Sequence, residues 1–77
     1  MAALASKYGP QYKALAQRLR DARECAGFTQ QEAGNRLGRP QSFISKCESG
    51  ERRVDIIEMQ AFAQLYGKEL SYFEVER

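Results

Sequence analysis

Two glycines and a proline divide the middle of the 77-residue chain into two short helical segments. Thr29 is a good helix N-cap, and Glu32 follows three residues later to complete a capping box. Gly38 is the residue type that ends a helix in the left-handed conformation. Pro40 cannot continue that helix but suits the first turn of the next, which ends at Gly50. The segment from Thr29 to Gly50 is therefore predicted to be two helices joined by a tight turn.

The second helix of this pair separates apolar from polar positions. Ile44 is predicted to be buried, whereas Gln41, Ser42, Ser45 and Lys46 form a narrow polar patch on the outer face. Two helices joined by a short glycine-bearing turn form a helix-turn-helix, whose second helix enters the DNA major groove. Gln, Ser and Lys side chains can all bond to base edges. The four residues are predicted to contact bases, and the alternative is that they are only the solvated side of an amphipathic helix.

The order and spacing of residues over roughly positions 12 to 73 closely resemble the lambda-repressor/Cro-like (Xre-type) helix-turn-helix family of transcriptional regulators. Two departures from the family pattern affect packing. Gly34 stands where the family has a larger residue, which predicts a less well packed first helix, and Pro40 replaces the usual Ser or Thr cap. The resemblance is carried by Leu19, Arg20, Arg23, Gly27–Gln30, Glu32, Leu37, Gly38, Gln41, Ser42, Ile44, Ser45, Glu48, Gly50–Arg52, Phe62, Ala63, Gly67, Leu70 and Phe73.

The predicted fold is all-α, a compact five-helix bundle of the lambda-repressor-like DNA-binding type. Residues 1–9 are predicted to be a flexible N-terminal arm, and residues 10–77 a single domain. A fourth helix is expected from a cap at Asp55 to Tyr66, and a short fifth helix over about residues 69–73. Leu70 and Phe73 are expected in the core, together with either Ile57 or Met59.

The resemblance also implies contacts with the DNA backbone. The N-terminus of the first helix of the pair, at Thr29 and Gln30, is expected to abut a phosphate, because free N–H groups and the positive helix end attract anions. Arg39, Arg52 and Arg53 flank the second helix and are expected to contact phosphates. Either Arg52 or Arg53 could instead pair with a nearby acid such as Glu51 or Asp55. Phe43 is expected to point outward to the sugar–phosphate edge, or else to pack against the helix pair.

Two further sites follow from the sequence. Arg23 and Glu48 match an ion pair of the family that ties the first helix of the domain to the third. A homodimer is expected because one helix reads only about half a site. Leu65, Tyr72 and Val75 remain as apolar residues after the core is filled and are predicted to form its interface.

Charge and composition agree with this interpretation and limit the others. Residues 1–53 carry ten Lys or Arg against five Asp or Glu, whereas residues 54–77 carry two against five. The basic half contains the predicted DNA-binding face. His is absent, so Cys25 and Cys47 have no partners for a zinc site, and no nucleophile–base pair suggests an enzyme. No cofactor, small-molecule ligand or membrane contact is expected, and the predicted location is the cytoplasm of a bacterium or a phage-infected cell.

The leading hypothesis is a sequence-specific transcriptional regulator, with repression favoured, that binds a pseudo-palindromic operator as a homodimer. The alternatives within the same fold are an antitoxin-type protein and a restriction–modification controller, both of which regulate their own operon. A protein-interaction adaptor that does not bind DNA is the alternative from another class. Loss of the polar residues at positions 41, 42 and 46 would have favoured the adaptor, and none of them is lost.

Overall fold

The computed structural model describes residues 9–75. Over this range the chain forms four α-helices, which are α1 (Pro10–Ala26), α2 (Gln30–Leu37), α3 (Gln41–Ser49) and α4 (Ile56–Tyr66), followed by a 3₁₀ helix (Leu70–Phe73). The all-α class is as predicted. The fifth helix is not an α-helix but a single 3₁₀ turn, so the prediction of five helices is wrong by one. Residues 1–8 of the predicted N-terminal arm lie outside the described residues.

Local capping signals fix the helix boundaries. Thr29 accepts a hydrogen bond from the Glu32 N–H at 3.0 Å, and the Glu32 carboxylate accepts from the Thr29 N–H at 2.9 Å. Asp55 and Glu58 form the same reciprocal pair at the start of α4. Gly38 ends α2 in the left-handed conformation, with φ of 69°. Each cap lies within a few residues of the helix it bounds, and for this reason the sequence alone predicts these boundaries.

The turn between α2 and α3 requires a glycine at position 34. The Arg39 N–H donates to the Gly34 carbonyl at 2.8 Å, so the turn folds back over the end of α2. A Cβ at Gly34 would lie 2.6 Å from the Arg39 carbonyl oxygen, closer than real Cβ contacts allow. The expectation that this glycine loosens α2 is therefore wrong. Gly34 is buried and permits the close approach of the turn.

One apolar core joins all five elements. Leu19, Ile44 and Phe62 are almost fully buried at its centre, and α3 and α4 each pack against both α1 and α2. The remaining core residues are Ala16, Ala22, Ala33, Phe43, Cys47, Met59, Ala63, Tyr66 and Phe73.

Two apolar predictions near the C-terminus differ from the structure. Met59 is the buried member of its pair, and Ile57 is 69% exposed. Leu70, expected in the core, is 37% exposed, and Phe73 is the buried residue of the 3₁₀ turn. The end of this turn is held instead by Arg18 of α1, which donates to the carbonyls of Tyr72 and Glu74 at 2.9 and 2.6 Å.

Candidate nucleic-acid interface

Helix α3 presents the polar patch predicted from the sequence. Its four polar side chains at positions 41, 42, 45 and 46 are all exposed, whereas Ile44 and Cys47 on the opposite side are buried. The helix is nine residues long and lies at the surface between the α2–α3 turn and the α3–α4 loop. The structure therefore brings the proposed base-contacting residues Gln41, Ser42, Ser45 and Lys46 together on one accessible face.

A buried carboxylate anchors this face to α1. Arg23 donates through Nε to Glu48 Oε2 at 2.7 Å and through Nη2 to Oε1 at 3.1 Å, and the Glu48 side chain is only 1% exposed. Arg23 also donates to the Phe28 carbonyl at 2.8 Å. The hydrogen bond to Glu48 raises the pKa of Arg23 above its usual value. The ion pair that the resemblance implies is present, and it fixes the C-terminal half of α3 against α1.

The same carboxylate is linked to the patch by a chain of two glutamines. Gln30 donates to Glu48 Oε1 at 3.1 Å, and Gln41 donates to Gln30 Oε1 at 3.2 Å. Gln30 is therefore held by protein groups on both sides of its amide. Gln41 is exposed and oriented by this chain, because its amide is fixed at one end before any ligand arrives.

The N-terminus of α2 lies beside the patch. An open cleft there is lined by Arg23, Phe28, Thr29, Gln30 and Gln41, among others. The first N–H groups of α2 and the positive end of its dipole favour an anion at this position. The hydroxyl of Thr29 is already used as the helix cap, so backbone N–H groups rather than this hydroxyl are suited to a phosphate.

Phe43 does not point outward. It is 9% exposed, and its ring stacks on Phe62 with centroids 6.0 Å apart and planes 6° apart. The predicted role of Phe43 as a contact to the DNA backbone is wrong, because α4 covers the position it occupies. Packing was the alternative left open, and the ring packs against Phe62 of α4, with Arg39 of the α2–α3 turn lying over it.

Glu58 is a residue of this surface that the sequence interpretation missed. Arg52 donates through Nη1 and Nη2 to Glu58 Oε1 and Oε2 at 2.8 and 2.9 Å, and Arg39 Nη2 lies 3.4 Å from Oε2. The Arg52 hydrogen bond is the main cause of a pKa of Glu58 below its ordinary value. Arg52 thus pairs with neither Glu51 nor Asp55. The Asp55–Glu58 capping spacing could have singled out this acid, but not its arginine partners.

The cysteines give no support to a redox site. Cys47 is buried, and burial raises its pKa from 9.0 to about 11, so the reactive thiolate is scarce at neutral pH. Cys25 is exposed on α1. Within residues 9–75, no group of three or more His, Cys, Asp or Glu side chains is placed to hold a metal ion. No helix in that range is both long and apolar enough to cross a membrane.

The predicted dimer surface is less exposed than expected. Leu65 and Tyr72 are partly buried and pack against the core, and Val75 has intermediate exposure. The large apolar side chains most open to water in the described chain are Ile57 and Ile56, the latter 57% exposed. Both lie in the first turn of α4 and not in the C-terminal 3₁₀ helix.

Comparisons with known proteins give one consistent result. A family described as a helix-turn-helix domain matches residues 14–69. The chain is similar to the solved structure of an XRE-family like protein from Pseudomonas syringae pv. tomato str. DC3000, with 48% identity over 82% of this chain and 77% of that chain, and a TM-score of 0.73. It shares its fold with the restriction-modification controller protein C.AhdI from Aeromonas hydrophila, with a TM-score of 0.76 and 24% identity over 82% of this chain and 96% of that one. No curated protein sequence matches it.

Proposed function

The chain belongs to the XRE family of helix-turn-helix proteins, and we propose that it is a sequence-specific DNA-binding transcriptional regulator in which α3 is the recognition helix. The observation that carries the proposal is an exposed polar face on a helix anchored by the buried Arg23–Glu48 pair. A helix that reads bases must keep a fixed docking angle, and a bidentate guanidinium–carboxylate pair supplies that rigidity.

Base recognition is assigned to Gln41, Ser42, Ser45 and Lys46. Gln41 is the strongest candidate, because the Gln30–Glu48 chain holds its amide while the side chain remains exposed. A glutamine amide can bond the N6 and N7 atoms of one adenine together. Lys46 can reach a guanine or a phosphate, and the two serines can contact base edges or phosphates.

Backbone contacts are assigned to the N-terminus of α2 at Thr29 and Gln30, and to the loop cations Arg39 and Arg53. Both arginines are exposed. These groups lie on either side of α3 along the chain and would position the protein without reading sequence. The proposal is one of binding rather than catalysis, and it needs no cofactor or small-molecule ligand.

We further propose a two-fold homodimer that represses transcription by occupying a pseudo-palindromic operator. A single short recognition helix covers about half a site, and dimers of this kind read half-sites roughly 34 Å apart. The C-terminal surface at Leu65, Tyr72 and Val75 stays the predicted interface, and the exposed Ile56 and Ile57 are available to extend it along α4. The cytoplasm is the compartment in which such a regulator would act.

A restriction–modification controller is the second candidate, and the fold similarity to C.AhdI supports it, since the alignment covers 96% of the C.AhdI chain. The two candidates share the DNA-binding step and differ in the genes they control. A site recovered upstream of a restriction gene would favour the controller, and a site at unrelated promoters would favour a general repressor.

Selection of bound duplexes from a random pool tests the proposed function. The expected result is a pseudo-palindrome whose half-sites lie one helical turn apart, bound by a dimer in sedimentation analysis. The control is a variant with Gln41, Ser42, Ser45 and Lys46 all changed to Ala, which leaves the core intact. Enrichment of the same sequences by wild type and control, or no enrichment by either, would contradict base recognition by α3.

A further inference from the structure

The carboxylate of Glu58 joins the two turns that flank α3. Arg39 lies in the turn before α3 and Arg52 in the loop after it, and both guanidinium groups approach this one acid. Both also lie over the ring of Phe43, with Cζ 4.4 and 4.6 Å from the ring centroid. The two ends of α3 are thereby tied to the first turn of α4 through one acid and one aromatic ring.

Arg52 is committed to the protein. Its Nη1 and Nη2 atoms donate to Glu58 Oε1 and Oε2 at 2.8 and 2.9 Å, and Nη1 also donates to the Arg53 carbonyl at 2.7 Å. Parallel N–H donors facing a carboxylate form the strong, bidentate type of ion pair. The Arg52 side chain is 36% exposed, but a phosphate that took over its bidentate pair would have to displace Glu58, whose side chain is 11% exposed and also caps α4.

Arg39 is held far less tightly. Its only approach to Glu58 is a 3.4 Å contact through Nη2, and its side chain is 44% exposed. A guanidinium stacked on an aromatic face keeps its N–H donors in its own plane, directed away from the ring. Arg39 can therefore bond a phosphate while it stays stacked on Phe43.

We propose that Glu58 is a positioning residue for DNA-backbone binding, an inference that rests on the proposed function. It fixes Arg52 as a structural brace and leaves Arg39, steadied over Phe43, as the arginine that contacts a phosphate next to α3. The sequence predicts that Arg39 and Arg52 both contact phosphates, whereas in this proposal only Arg39 does so and Arg52 holds the protein structure.

Removal of the Glu58 charge has two opposite consequences for DNA binding. The protein gains one net positive charge, which favours any duplex equally. Arg52 also loses the acid that fixes it, so the brace at the end of α3 is lost, which weakens only the complex in which the position of α3 matters. The ratio of specific to non-specific affinity therefore falls in Glu58→Gln, by about tenfold, or about 1.4 kcal/mol.

The test uses the full chain and two duplexes, one selected by the wild type and one unrelated, with affinities measured across a range of KCl concentrations. Arg39→Gln is expected to reduce the slope of log K against log salt by about 0.9, the value for one phosphate contact. The double variant Arg52→Gln/Glu58→Gln, which keeps the net charge, is expected to retain the wild-type slope. Urea unfolding of each variant confirms that the measurements are made on folded protein.

The outcomes separate the inference from the proposed function. A wild type without preference for any duplex would remove the proposed function, and the inference with it. A selective wild type combined with an unchanged affinity ratio in Glu58→Gln would overturn the inference alone. A slope reduced in the double variant as much as in Arg39→Gln would assign Arg52 to phosphate and overturn it as well.

Discussion

Glu48 and Glu58 both tie α3 to neighbouring elements through an arginine, but they do so in different surroundings. Glu48 lies at the inner edge of α3, is 1% exposed, and accepts the Arg23 fork together with the Gln30 amide. Glu58 lies in the first turn of α4, is 11% exposed, and accepts the Arg52 fork together with the Asp55 N–H. Each carboxylate accepts two N–H groups from one arginine, so burial is the main physical difference between the two ion pairs.

Burial changes the consequence of losing a partner more than it changes the bond. A charge left unpaired in the interior cannot recover its hydration, whereas one near the surface is stabilised by water and counter-ions. The Glu48 side of α3 is therefore expected to determine whether the helix is held at all. The Glu58 side is expected to determine how the flanking arginines are oriented.

The largest difference between Glu48 and Glu58 is expected in their contributions to the free energy of unfolding. Glu48→Ala should reduce the free energy of unfolding by about 3–5 kcal/mol, because Arg23 stays buried without its partner. Glu58→Ala should reduce it by only about 1–2 kcal/mol, through loss of a helix cap and a partly exposed pair. Urea unfolding measures both values. Equal losses would mean that burial does not distinguish the two carboxylates.

A matched double variant sharpens this prediction. Arg23→Met/Glu48→Leu removes both charges and keeps apolar volume at the site, so it should be more stable than Glu48→Ala alone. If the double variant is as unstable as the single one, the loss lies in packing and not in the unpaired charge.

The next effect concerns Gln41, where the chain of hydrogen bonds from Glu48 through Gln30 ends on the exposed face of α3. Gln41→Ala should weaken binding to the selected duplex by about 1–3 kcal/mol and leave binding to an unrelated duplex nearly unchanged, because one bidentate base contact is lost. Gln60→Ala, an exposed glutamine on α4, serves as the control and should change neither affinity. A uniform loss on both duplexes would assign Gln41 to the backbone instead.

Acid should weaken the ion pair of Glu58 with Arg52. Pairing with Arg52 holds the pKa of Glu58 below its ordinary value of 4.5, so its contribution to stability is present above that value. The contribution is lost as the pH falls through the lower pKa of the folded state. The stability difference between wild type and Glu58→Gln, measured by urea unfolding at a series of pH values, should therefore shrink below about pH 4.5. A difference that stays constant into acid would show that the pair does not persist in solution.

The smallest effect is expected at Tyr66, which lies near both members of the Glu48 pair. Its hydroxyl is buried and has no hydrogen-bond partner among residues 9–75, and burial raises its pKa well above 10.0. Tyr66→Phe removes an unsatisfied polar group, so the free energy of unfolding should stay unchanged or rise by up to about 1 kcal/mol. A clear loss of stability in thermal unfolding would reveal a partner for this hydroxyl and extend the Glu48 network to α4.

Local signals in the sequence determined the helices and the family to which this chain belongs. Thr29 with Glu32, Asp55, and the glycines that end each α-helix all act within a few residues, and they give the helix boundaries without knowledge of the fold. The exposed side of α3 also follows from the helical periodicity of its polar residues. The pairing of Arg23 with Glu48 follows from the residue spacing that the chain shares with the family.

Only the tertiary structure decided which way several side chains face and which charges meet. Phe43 is buried because α4 packs over it, and Leu70 is exposed although Phe73 of the same 3₁₀ turn is buried. Arg52 and Arg39 meet at Glu58, which lies six and nineteen residues away along the chain. These contacts depend on the angle at which α4 crosses α3, and no periodicity or capping pattern within a single helix encodes that angle.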